Sequence, residues 1–171
     1  MKTKHQYMKI GLAALLASVY GSSLTAATFN GTATATVIAP LTLAQTTPMN
    51  FGTVAVGAAG GTVVMTSAGA RSVTGDANAI AAGAGTAGAY TITGQAAQAY
   101  TMTIAGGTLT DGGGANPMSL SAFTFVSPAL TGGADAFSVG ATLTLPPNQP
   151  AGAYSTANGV PAPLVITANY N

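Results

Sequence analysis

The sequence predicts an all-β sandwich, and three observations carry the prediction. Stretches rich in Thr, Val, Ile, Tyr and Phe recur at short intervals, clusters of Gly, Asn, Pro and Ala separate them, and no window offers a long helical stripe. About eight such stretches with turn signals between them are the pattern of two packed antiparallel sheets.

The first segment is a targeting signal rather than part of that fold. Lys2, Lys4 and Lys9 form a basic region, Ile10 to Tyr20 an apolar run, and "GSSLTAA" supplies small residues for cleavage after Ala26 or Ala27. Ala27 is preferred, because Thr25 and Ala27 then occupy the small positions. The apolar run is short for a membrane span of about 20 residues. The reading is therefore a signal over residues 1–27 and a single mature domain over 28–171 with no transmembrane segment. Its destination is the periplasm, the cell surface or an extracellular fibre.

The strands follow in order. In Thr32 to Leu43 the odd positions Ala33, Ala35, Val37, Ala39, Leu41 and Leu43 are apolar and the even ones mostly Thr. Pro40 cannot donate to a ladder, so it marks an edge, a bulge or a junction, and the first dozen mature residues are separable from the rest. Further strands are expected at residues 49–56, 62–66, 89–93, 100–105, 119–126 and 136–145. The last runs from Leu164 to Tyr170, with Leu164, Ile166, Ala168 and Tyr170 on one side and Val165, Thr167 and Asn169 on the other. Chain ends usually fray, so alternation up to the penultimate residue predicts a strand that is held. Residues 75–90 and 106–117 are rich in Gly and Ala and read as loops or weak edge strands, with a helical turn at residues 77–82 capped by Asp76.

Charge narrows the function. Removing residues 1–27 takes away every lysine and the one histidine, His5, and leaves Arg71 against Asp76, Asp111 and Asp135, a net charge of −2. One cation cannot neutralise a run of phosphates, which excludes nucleic acid as a partner. Without mature His, Lys, Cys or Glu there is no material for a Ser-His-Asp or Cys-His site, a Ser-Lys dyad, a Schiff base or a zinc centre of the usual ligands. The expectation is a protein that is not an enzyme and uses no cofactor or metal; a site built on the three aspartates is the remaining enzymatic alternative. Gly83, Gly85 and Gly88 fit a dinucleotide-binding spacing, but a strand-like segment follows where a helix is required. Asp76 and Asp111 sit in Gly-rich stretches without the alternating carboxylates of a calcium loop, so they read as turn formers. Arg71 is expected to pair with one of the carboxylates or with carbonyls at a turn. A surface so poor in charge suits a subunit covered in an assembly.

Five stretches together carry a resemblance: "ATATVIAPLTL", "MNFGTVAVG", "AGARSVTG", "FSVGATLTLPPNQPAGAY" and "LVITANYN". The chain resembles a DUF4402-like family of secreted bacterial domains of unknown function and, more distantly, the spore coat U type pilins of archaic chaperone-usher systems. The resemblance implies an immunoglobulin-like antiparallel sandwich. The pilin likeness implies one strand too few, with the gap filled first by a periplasmic chaperone and then by the N-terminal strand of a neighbouring subunit. On this view residues 28–39 are a donor or first strand inserting Ala33, Ala35 and Val37. Leu164, Ile166, Ala168 and Tyr170 line the acceptor groove or meet the chaperone. The implied role is structural or adhesive, in a surface pilus or fibre. Its partners are identical or related subunits, a periplasmic chaperone and an outer-membrane usher. The alternative is a self-complete monomer, a secreted or surface binding module for an unknown ligand, whose residues 32–43 pair within their own sandwich.

Overall fold

The computed structural model of the chain describes residues 26–126, 128–158 and 163–171. The signal expected over residues 1–27 lies outside these but for its last two residues. Packing divides the chain into a leading unit that ends at Ala35 and a body from Thr36 to Asn171. The described residues of the leading unit, 26–35, form no helix or strand and are exposed throughout.

The body is all-β: β1 (Thr42–Thr47), β2 (Val54–Met65), β3 (Arg71–Ala79), β4 (Gly88–Thr93), β5 (Tyr100–Gly106), β6 (Thr108–Leu109), β7 (Met118–Phe125), β8 (Ala134–Leu145) and β9 (Leu164–Tyr170), with one 3₁₀ turn at Ala81–Gly83. All pairings between these strands are antiparallel. The main sheet runs β1-β4-β8-β2-β3, with β7 also on β8 and β6 beyond it, while β5 and β9 form a second sheet of two strands. The fold is an antiparallel β-sandwich of the immunoglobulin-like class.

β8 organises the core because its odd positions from Phe137 onward are apolar and both its edges are used. Ala134 to Val139 pair with β4, Ala141 to Leu145 with β2, and β7 covers the opposite edge from Val139 to Thr144. Phe137, Val139, Ala141, Leu143 and Leu145 are consequently buried. Val63 and Met65 of β2 join Ala141, Leu143 and Leu145 in one cluster, with Phe51 and Met118. Tyr90 and Ile92 of β4 join Phe137 and Val139 in a second cluster, whose other wall is Tyr100, Met102 and Ile104 of β5 and Leu164, Ile166 and Ala168 of β9. Tyr90 stacks on Phe137 with ring centroids 5.5 Å apart. Each side chain fully removed from water here contributes about 1.5–3 kcal/mol.

Several expectations are corrected. Residues 32–41 are unpaired, and only Thr42 and Leu43 of the expected first strand lie in a strand. Val54 to Val56 and Thr62 to Met65, expected in two separate strands, both belong to β2, which carries a register shift between Val56 and Gly61. Gly60 and Gly75 both take positive φ at that shift, and a Cβ on Gly75 would stand 2.9 Å from the Gly60 carbonyl oxygen. Residues 71–79, whose second half reads as loop and helical turn, form β3. Asp76 lies within that strand and accepts the Ala59 N–H at 3.3 Å instead of capping a helix. Pairing with β2 along β3 satisfies more backbone groups than one capped turn could.

Arg71 binds carbonyls rather than a carboxylate. One guanidinium nitrogen donates to the carbonyls of Gly83 (2.8 Å), Phe51 (3.0 Å) and Thr53 (3.4 Å), and the other donates to Ile80 (2.9 Å). The planar fork gathers the 51–53 and 80–83 loops at the end of β3, a geometry that a single ammonium cannot reproduce.

Candidate functional site

The site begins with β9. Its alternation is clean, and Leu164, Ile166, Ala168 and Tyr170 all face inward, yet each is only half-buried while Val165, Thr167 and Asn169 are exposed. β5 shows the same pattern: Tyr100, Met102 and Ile104 are half-buried on the inner side. One edge of β9 pairs with β5 from Leu164 to Tyr170, and the other has no strand partner among the described residues. At the far edge of the main sheet β1 likewise pairs only with β4. The second sheet is thus too narrow to seal the inner face of the first.

The consequence is a groove of about 970 Å³. Leu43 of β1, Tyr90 of β4, Met118 and Leu120 of β7, Tyr154, and Leu164 and Ile166 of β9 are among its walls. Tyr154 is placed by its own loop, donating its hydroxyl to the Pro150 carbonyl at 2.7 Å. Tyr90 is the polar point in the wall: burial pushes its phenol above the ordinary value, and the Gln45 side-chain amide, donating at 3.1 Å, offsets some of the rise. Ala168 and Tyr170 do not line the groove. Ala168 packs on the Tyr90–Ile92 cluster, and Tyr170 reaches Gln95 and Ala39.

Tyr170 explains why the chain end is held. Its hydroxyl accepts the Gln95 N–H at 2.5 Å and donates to the Ala39 carbonyl at 2.9 Å. Gly94 lies beneath, where a Cβ would collide with the Tyr170 hydroxyl and with Leu41. Ala39 is therefore the root from which the N-terminal segment leaves the sandwich.

From that root toward the N-terminus the described residues 26–40 are unpaired and exposed. Val37 is 93% exposed, and Ala33 and Ala35 are exposed with it, so the expected donor residues are accessible, and their odd spacing puts them on one face of any extended chain. Phe29 shares their parity and is also 93% exposed. Sequence reading passed over it because it precedes the alternating run, although its odd position was the signal. Tyr154, in a Pro- and Gly-rich corner, reads from the sequence as a core or interface residue, and Met118 and Leu120 belong to a segment whose apolar pattern fits an ordinary core.

The aspartates do not converge on the groove. Asp111 accepts the N–H of Gly113 (3.0 Å) and of Ala115 (2.8 Å) and the Asn116 amide (2.7 Å), which closes a turn. Asp135 accepts the Ala136 N–H at 2.7 Å. Among the described residues no group of three or more His, Cys, Asp or Glu could hold a metal ion. No helix among them is long and apolar enough to cross a membrane.

Residues 41–170 match the model of a family described as a domain of unknown function, DUF4402. The chain belongs to the DUF4402 family. Searches of curated proteins and of solved structures each returned no match. The DUF4402 match starts at Leu41, two residues beyond the Ala39 root, so it takes in the sandwich and its groove and leaves out the exposed leading segment.

Proposed function

We propose that this protein is a non-enzymatic exported structural subunit of a surface pilus or fibre, joined to its neighbours by β-strand complementation. The observation that carries the reading is one molecule bearing both halves of such a joint. It has a groove of mixed lining that takes in Leu164 and Ile166 of β9, a strand with one unpaired edge among the described residues, and an exposed, alternating apolar segment at residues 28–39. A strand laid along β9 would satisfy its unused N–H and C=O groups and cover Leu164 and Ile166, which is the physics of strand addition at an open sheet edge. The donor's inserted residues include Ala33, Ala35 and Val37.

Local geometry disfavours a tight hairpin of the chain's own segment onto β1. Tight hairpins need positive φ at the first loop residue, whereas Pro40 is fixed near −65° and holds Ala39 extended. With the Ala39 carbonyl also bound by Tyr170, a two-residue return onto β1 is unavailable. Head-to-tail donation of this kind does not close on itself and generates an open filament. Such a subunit requires something to cover its groove before assembly, the role of a periplasmic chaperone, and an outer-membrane usher to order the exchange.

The test is the solution state of the mature chain, residues 28–171. The expected result is a ladder of oligomers on unheated SDS gels that collapses when a synthetic peptide of residues 28–39 is present in excess during refolding. A stable monomer that ignores the peptide would overturn the reading. It would favour a self-complete binding module instead, since a groove of about 970 Å³ is also within the range that holds a small apolar ligand.

A further inference from the structure

The donor segment has an uneven face. Its odd positions read Phe29, Gly31, Ala33, Ala35 and Val37, one large aromatic and one β-branched residue around three small ones. Alanine and glycine bury little area, so Phe29 and Val37 hold most of the apolar surface the segment could remove from water. Both are 93% exposed, the most exposed of the large hydrophobic residues in the described chain. An exposed Phe at that level, on the face of an alternating segment, is a side chain without its pocket.

The groove is uneven in the matching sense. At the Tyr170 end of β9 the Tyr170 hydroxyl is bound to Gln95 and Ala39. With Leu164, the groove is lined by Leu109, Met118, Leu120, Leu145 and Tyr154, together with polar residues such as Gln149 and Ser155. Met118 and Tyr154 offer adaptable and aromatic surfaces suited to a ring. The groove takes in Leu164 and Ile166 but neither Ala168 nor Tyr170, so a large side chain suits the Leu164 part of β9.

Resting on the strand-complementation reading above, we infer that Phe29 of a second copy of this chain is the anchor of the joint, seated between Met118, Leu120, Tyr154 and Leu164. The alanines between it and Val37 set the spacing and fit the close approach. From Phe29 to Val37 an extended chain covers about 26 Å, enough to pass along all of β9. If the signal is cleaved after Ala27, the anchor is the second residue of the mature protein.

The experiment uses the intact mature chain and two variants, Phe29→Ala and Ala33→Gly, with matching peptides of residues 28–39 as competitors. The expected result is that the Phe29→Ala peptide needs at least tenfold more to suppress the ladder, the Ala33→Gly peptide less than threefold more, and that the Phe29→Ala chain forms shorter ladders. Phe29 is exposed in the subunit, so the thermal midpoint of dispersed subunits is expected to be unchanged. If the native peptide suppresses the ladder and the Phe29→Ala peptide does so equally well, the anchor is overturned while strand complementation stands. A chain that forms no ladder and ignores every peptide overturns both.

Discussion

The two ends of the core contrast sharply although their strands are written in the same alternating code. In β8 the inward residues Phe137, Val139, Ala141, Leu143 and Leu145 range from 0% to 7% exposed. In β9 the inward residues Leu164, Ile166, Ala168 and Tyr170 are all only half-buried. β8 has β4 and β2 along one edge and β7 along the other, whereas β9 has β5 alone. Alternation decides which side chains face inward, but what packs across the inner face decides whether the inside is dry. An apolar strand that lacks one neighbour keeps half its inner face in water.

The largest expected effect sets that contrast directly. Leu143→Ala is expected to cost about 3–4 kcal/mol in thermal or denaturant unfolding of dispersed subunits, the toll of a cavity in a closed core. Ile166→Ala in the same state is expected to cost about 1 kcal/mol, because its side chain is half in water already. In assembled material the Ile166 variant is expected to lose much more. Equal costs in dispersed subunits would mean that the groove is already filled within one chain, and the contrast between the two ends would break.

Arg71→Ala comes next, at about 2–3 kcal/mol, since charge-assisted bonds to four carbonyls are lost together. Arg71→Lys is expected to recover less than half of it, read as the thermal midpoint. An unchanged midpoint for Arg71→Ala would remove the guanidinium from the fold's support.

Tyr170→Phe sharpens the account of the open end. It deletes the bonds to Gln95 and Ala39 while keeping the ring, at an expected cost of about 1–2 kcal/mol. Amide exchange at Gln95 is expected to accelerate. Exchange along β8 should stay as slow as in the parent protein, apart from the global loss of stability.

The smallest effect is at Asp111. The Asn116 amide first, then the Ala115 and Gly113 N–H groups, hold its carboxyl below the usual carboxylate value. A lowered pKa stabilises the turn above the ordinary carboxyl range, and that support is lost as pH falls through the lowered value. Amide exchange at Gly113 and Ala115 is expected to quicken on acidification and to be insensitive to pH near neutrality, once the intrinsic rate is allowed for.

Much of this was legible in the residues, and the exceptions share a cause. The strands at 100–105, 119–126, 136–145 and 164–170 stand out because β-branched and aromatic residues alternate there with polar ones. β3 was half hidden, because "GDANA" has the composition of a turn and becomes strand through pairing with β2. The opposite error befell residues 32–41, whose Ala and Thr alternate well but find no partner in the described body. Of the groove, β9 was visible as a periodic stripe; Met118, Leu120 and Tyr154 were not, because nothing local separates a wall of an open groove from a member of a closed core.

The sequence by itself determined the class of fold, the poverty of charge, and which face of β9 turns inward, all of them local or compositional properties. Only the tertiary structure decided that Arg71 serves carbonyls, that Tyr170 fastens the chain at Ala39, and that β9 keeps one edge and half its apolar face without a partner. Those are facts of strand pairing between residues distant along the chain, and no window of sequence contains both members of a pair.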